Sequence, residues 1–98
     1  MGQVSWTDEA VSWLRDIHDY ITNDNPEAAQ RAVLGILDKT QTLLRFPHRG
    51  YRYEGESERD VRILLYGHYR IAYLIGGDGD IDVLDVFHGA LDVKRYLL

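Results

Sequence analysis

There is no cysteine among the 98 residues. That excludes a disulfide framework and a thiolate metal site, leaves packing as the source of stability, and favours a cytoplasmic setting. No segment approaches the roughly 20 apolar residues that a membrane-spanning helix needs, and the N-terminus lacks the basic-then-apolar order of a signal peptide. A soluble chain with no membrane partner is expected. Met1-Gly2 opens like an acylation signal, but Trp6 stands where that signal requires Ser or Thr.

Positive charge is also scarce: 11 Lys and Arg against 16 Asp and Glu give a formal charge of −5. Broad, sequence-independent nucleic-acid binding relies on releasing counterions from many phosphates, and this balance weighs against it. The cations that exist are concentrated. Arg45, Arg49, Arg52, Arg59, Arg62 and Arg70 are six of the 11, with four acids in the same span, whereas Asp78 to Asp85 is purely acidic. A local arginine-rich patch on an acidic protein follows.

What is present reads as one domain, residues 1–98, of α+β class. Gln3 to Trp6 alternates as a short first strand. Thr7 is placed to cap a helix, with Asp8 and Glu9 where the dipole favours negative charge. Ala10, Leu14, Ile17 and Ile21 recur at helical spacing, and this helix should end near Thr22. Asn25-Pro26 is a second start signal, for a helix running to about Arg45. Ala29, Ala32, Val33, Ile36, Leu37, Leu43 and Leu44 form its buried stripe, and Gly35 within it suggests close approach to a neighbour. The short connection makes the helices an antiparallel hairpin.

Pro47, Gly50 and the polar run from Glu54 to Asp60 mark a loop. Then come three antiparallel strands: Val61 to Leu65, a pivot at Tyr66, Gly67 and His68, Tyr69 to Ile75, a glycine-rich turn, and Ile81 to His88. The hairpin of helices should cover one face of a three- to four-stranded, mainly antiparallel sheet. The other face should display Arg62, Arg70 and His88. Ala90 to Leu98 reads as a short closing helix or tail.

Metal and cofactor sites are not expected. No two of His18, His48, His68 and His88 have the i, i+4 spacing common in zinc sites. Asp78, Asp80 and Asp82 imitate a calcium loop, but Val83 and Gly89 stand where glycine and glutamate belong. The Gly76, Gly77, Gly79 cluster lacks the Lys-Ser/Thr ending of a phosphate loop and reads as a hairpin turn.

Gly67, His68, Tyr69, Arg70, Ile71, Ala72 and Tyr73 resemble the Tyr-Arg-aliphatic-x-Tyr strand of the ParE/RelE toxin superfamily. Val83 to Gly89, followed by Asp92, resembles the ParE-like strand ending. Trp6 with Ala10, and Pro47 with Gly50, match the family's punctuation. The resemblance implies a toxin of a type II toxin-antitoxin system, a cause of growth arrest and a plasmid-stabilisation element, held by a cognate antitoxin in a hetero-oligomer. RelE-like members cut mRNA on the ribosome; ParE-like members poison DNA gyrase.

RNA cleavage needs a base, an acid and cations around the phosphate. Arg62, Arg70, His88 and Tyr96 would be the catalytic set here. Arg70 is a natural phosphate clamp because its guanidinium is forked and always charged. RelE-like nucleases, however, carry lysines on the first strand of the meander and an arginine just past the last. This chain has Arg62 alone on that strand and His88, Gly89, Ala90 and Leu91 after Phe87. The ParE branch is therefore favoured, with no catalytic residue and with Arg49, Arg52, Arg62, Arg70 and His88 as target-binding candidates. A third alternative is a non-toxic fold relative that only pairs with its partner.

Overall fold

The computed structural model describes residues 2–55 and 58–88. In chain order these form β1 (Val4–Trp6), α1 (Asp8–Thr22), α2 (Pro26–Gln41), a 3-10 turn (Thr42–Leu44), β2 (Tyr51–Arg52), β3 (Val61–Tyr66), β4 (Tyr69–Ile75) and β5 (Ile81–His88). The expected closing helix lies outside the described residues.

Both helix starts follow their capping residues. The Thr7 hydroxyl accepts from the Ala10 amide at 3.0 Å, and the Asn25 side chain accepts from the Ala28 amide at 3.1 Å. Thr7 also donates to the Leu84 carbonyl at 3.0 Å, so one hydroxyl caps α1 and ties it to β5. The second helix stops at Gln41 rather than near Arg45, because the chain tightens into the 3-10 turn.

One five-stranded sheet has the order β1-β5-β4-β3-β2. It is wider than expected by β2, a pair of residues too short to carry an alternation pattern. The first strand joins β5 in parallel, with Val4 opposite Ile81 and Trp6 opposite Val83, which makes β5 interior, in keeping with its apolar sequence. The β3–β4 hairpin turns on Gly67 and His68. Only Gly67 there has positive φ, +57°, the pattern of a type II′ turn.

Ala10, Ile36 and Leu43 from the helical layer meet Leu64, Ile71, Tyr73, Ile81, Val83 and Val86 in the main core. Full burial of each larger side chain contributes about 1.5–3 kcal/mol. Gly35 lies against the Tyr66 ring, so the close approach is to the sheet. On the opposite face Ile63, Ala72 and Phe87 form a second buried cluster, with Tyr53 and Leu84 packed on it.

The hairpin register corrects one expectation about the arginines. Arg62 lies opposite Tyr73, whereas Arg70 lies opposite Leu65 on β3 and Phe87 on β5. Tyr73 belongs to the helix-side core and Phe87 to the other cluster. Arg62 and Arg70 therefore occupy opposite faces. His88 pairs with Tyr69, whose ring packs on the helix-side core, so it shares a face with Arg62 and not with Arg70. The reason is the two-residue turn, which pairs even-numbered positions of β3 with odd-numbered positions of β4.

Candidate functional site

The segment from Pro47 to Arg52 leads into the edge strand β2 beside β3, under a clamp. Tyr73 donates its phenol to the Pro47 carbonyl at 2.6 Å and accepts from the Gly50 amide at 3.0 Å. Burial, helped by the charge of Asp60, raises the pKa of that phenol more than the bond to Gly50 and the charge of Arg62 lower it, so it stays protonated and donates. Arg62 completes the clamp, donating from Nη1 to the Gly50 carbonyl and from Nε to Asp60, each at 3.1 Å. A side chain on Gly50 would lie 2.7 Å from the Ile63 carbonyl and 2.8 Å from the Tyr73 ring, so only glycine fits.

Arg62 is thus mostly buried and neutralised, a structural cation rather than a displayed one. The neighbouring cations face water. Arg45, Arg49 and Arg52 are exposed. Two of them flank Phe46, the Arg49 guanidinium at 4.9 Å from the ring centroid and that of Arg45 at 5.9 Å. Arg49 also donates to the Thr42 hydroxyl at 3.3 Å.

Arg70 stands on the other face between Leu65 and Phe87, with its Nε buried and unpaired among the described residues. His88 marks the far end of β5, its ring 5.5 Å edge-on from Tyr69 and 6.1 Å from His68. It rims a groove of about 400 Å³ between α1 and the ends of β4 and β5, lined by Trp13, Asp16, Tyr20 and Tyr69 among others. Tyr96, the remaining member of the nuclease set, lies outside the described residues.

Among the described residues no three His, Cys, Asp or Glu side chains are grouped to hold a metal. No described helix is long and apolar enough to cross a membrane.

One charged pair escaped sequence reasoning. Asp85 is 2% exposed, beside a β-bulge in the β4–β5 ladder, with Oδ1 unpaired. Burial, then a hydrogen bond and charge repulsion from Glu9 at the start of α1, push its pKa up to about 7. A carboxyl between Leu84 and Val86 in an apolar strand was the available signal. Its partner, 76 residues earlier in the chain, was not.

Residues 4–93 match the family model of the ParE toxin of type II toxin-antitoxin systems. The chain belongs to this family. Toxin RelE2 of Caulobacter vibrioides is 33% identical over 90 residues, spanning 92% of this chain and 98% of that protein. A putative toxin of Sinorhizobium fredii, Y4kP, is 33% identical over 86 residues, 88% of this chain and 86% of the other. Among solved structures, a chain of the chromosomal ParDE system from P. aeruginosa superposes with a TM-score of 0.74 at 25% identity, over 92% of this chain and 98% of that one. This ParE/RelE toxin therefore has the α+β architecture of its family.

Proposed function

We propose that this toxin acts by binding and blocking DNA gyrase in the cytoplasm, without cleaving a bond itself, and that a cognate antitoxin neutralises it in a hetero-oligomeric complex. The observation that carries this reading is the dispersal of the nuclease candidates. Phosphodiester cleavage needs its acid, base and cations within hydrogen-bond reach of one phosphate. Here Arg62 is spent on Asp60 and Gly50, Arg70 is on the reverse face, and His88 stacks at the far end of β5. These groups do not converge, and the cations that face water, Arg45, Arg49 and Arg52, can grip a macromolecule without cleaving it. The ParDE system to which the matched structure belongs supports an antitoxin partner.

The ribosome-dependent mRNA endoribonuclease is the alternative, favoured by the name of the Caulobacter relative. Purified toxin incubated with gyrase and supercoiled plasmid should accumulate cleaved gyrase-DNA complexes while ribosome-bound mRNA stays intact. Cleavage of that mRNA, abolished by Arg70→Ala in a folded variant, overturns the proposal. Growth arrest on induction without antitoxin excludes a fold relative that has lost toxicity.

A further inference from the structure

Two carboxyls meet where α1 starts out across β5. Asp85 lies in an apolar strand with its Oδ1 buried and unpaired, at the point where the β4–β5 ladder slips. Ala72 pairs with Asp85 and Tyr73 with Val83, which leaves Leu84 as the extra residue of a bulge. The Leu84 carbonyl accepts the Thr7 hydroxyl, and the Val83 carbonyl accepts the Thr7 amide, each at 3.0 Å. Two bonds from one residue thus anchor the start of α1 to the bulge. Glu9, in the first turn of that helix, then comes within hydrogen-bond reach of Asp85.

Their surroundings decide how the two share charge. Glu9 is exposed at a helix N-terminus, where unpaired amides favour an anion. Asp85 is shut away from water with one oxygen unanswered, which disfavours an anion. Glu9 is therefore the member that holds the charge, and Asp85 the member that holds the proton. Among the described residues nothing offsets this. Beside Glu9, α1 adds only Asp8, a second acid, and β1 has no titratable group. From β4, uncharged Ala72 lies opposite Asp85, while Arg70 stands two residues on, opposite Phe87, and forms no ion pair with Asp85. On β5 itself Asp82 pairs with Leu74, and His88 lies at the far end against Tyr69.

Without the proton, two anions would face each other in a seam that offers no cation, and admitting water is the relief that disturbs least of the fold. Because β1 is three residues long and runs straight into Thr7, it has to move with the helix start. The β3–β4–β5 meander keeps its own ladders. We propose that this seam is a proton-dependent latch: while Asp85 and Glu9 share one proton, β1 and the first turn of α1 stay docked on β5, and loss of that proton to solvent releases them together from an otherwise folded chain. Trp13 and Ile17, further along α1, wall the groove that Val86 and His88 close from β5, so the latch joins the same two elements that shape the groove. The device does not depend on whether gyrase or the ribosome is the target.

Hydrogen exchange of the full chain, read residue by residue by NMR and corrected for intrinsic exchange rates, tests this. The amides of Thr7, Ala10 and Val11 should lose about 10-fold in protection from about pH 6 to about pH 8.5. Their opening is linked to one proton over the single pH unit below a pKa of about 7, and to none above it. At low urea their exchange should be nearly independent of denaturant, whereas the Ile71 amide of β4 should exchange only through global unfolding. Asp85→Asn should abolish the fall with pH, and Glu9→Gln, a change at an exposed side chain, should shrink it. Thr7→Ala should lower protection of the seam equally at both pH values, because the bonds it removes carry no proton switch. Protection of the wild-type seam that is constant with pH overturns the proposal. So does a fall that persists undiminished in Asp85→Asn or Glu9→Gln, or seam amides that follow the urea dependence of Ile71 throughout.

Discussion

Replacing Asp85 by Asn should change stability in a way that depends on pH, with a sign that the structure fixes. Asp85 is 2% exposed, and its carboxyl shares a hydrogen bond with Glu9. Burial comes first, then Glu9, in raising its pKa from 3.8 to about 7. The native state therefore keeps a proton on this pair at pH values where the unfolded chain has lost it. Native protein binds the extra proton from about pH 4 to about pH 7, so stability falls as pH rises through that window. At 1.36 kcal/mol per pH unit, the width of that window sets a ceiling of about 4 kcal/mol on the loss. Sharing the proton with Glu9 reduces what Asp85 alone carries to about 2 kcal/mol. Asn cannot ionise, so urea unfolding should find Asp85→Asn close to wild type at about pH 3.5, where the unfolded carboxyl is still largely protonated, and more stable by about 2 kcal/mol at pH 8.5. The two chains share every other titrating group, so their difference isolates this carboxyl together with its coupling to Glu9. A difference that is flat with pH, or that grows toward acid, refutes the reasoning.

Gly50→Ala should cost about 2 kcal/mol or more in urea unfolding, because the new methyl meets the Ile63 carbonyl and the Tyr73 ring, neither of which can yield cheaply. An unchanged midpoint would mean that the Pro47–Arg52 segment is not clamped. Thr7→Ala should lose about 1–2 kcal/mol, since it removes the cap on α1 and the bond to the Leu84 carbonyl together. Restoring Ser at that position should recover most of it, and failure of Ser to do so would refute the hydroxyl's double role.

The parts of the fold that local chemistry dictates are legible in the sequence. Thr7, Asn25 and Pro26 announce helix starts because a helix leaves its first amides unpaired and these residues answer that need. The β3–β4–β5 meander announces itself through alternation and its glycine turns. What escapes depends on pairings that no local pattern encodes. The strand β2 is two residues long, and the parallel β1–β5 contact joins opposite ends of the described chain. The arginine faces are hidden for a subtler reason. Alternation is plain within β3 and within β4, but which parity of one strand meets which parity of the other is set by the turn length. With Tyr66 opposite Tyr69, residue numbers across the hairpin sum to an odd total, and even-numbered Arg62 lands beside odd-numbered Tyr73.

That parity separates two roles which the sequence merges. An arginine on the helix-side face must find internal partners as the helices close over the sheet, because a buried guanidinium left unpaired would cost several kcal/mol. Arg62 finds Asp60 and the Gly50 carbonyl, and in doing so fixes the segment that follows the 3-10 turn. Arg49 and Arg52 escape the same capture because they lie on that segment and at the sheet edge, beyond the layer the helices bury. The buried cation thus holds the loop that carries the exposed ones. Losing Arg62 would loosen the segment on which Arg49 and Arg52 stand without removing a cation that faces water. Arg62→Lys, a point charge without the fork that reaches both Asp60 and Gly50, should raise the protease sensitivity of the 47–52 segment while leaving the net charge unchanged. A segment equally protected in both proteins would place the clamp on Tyr73 alone.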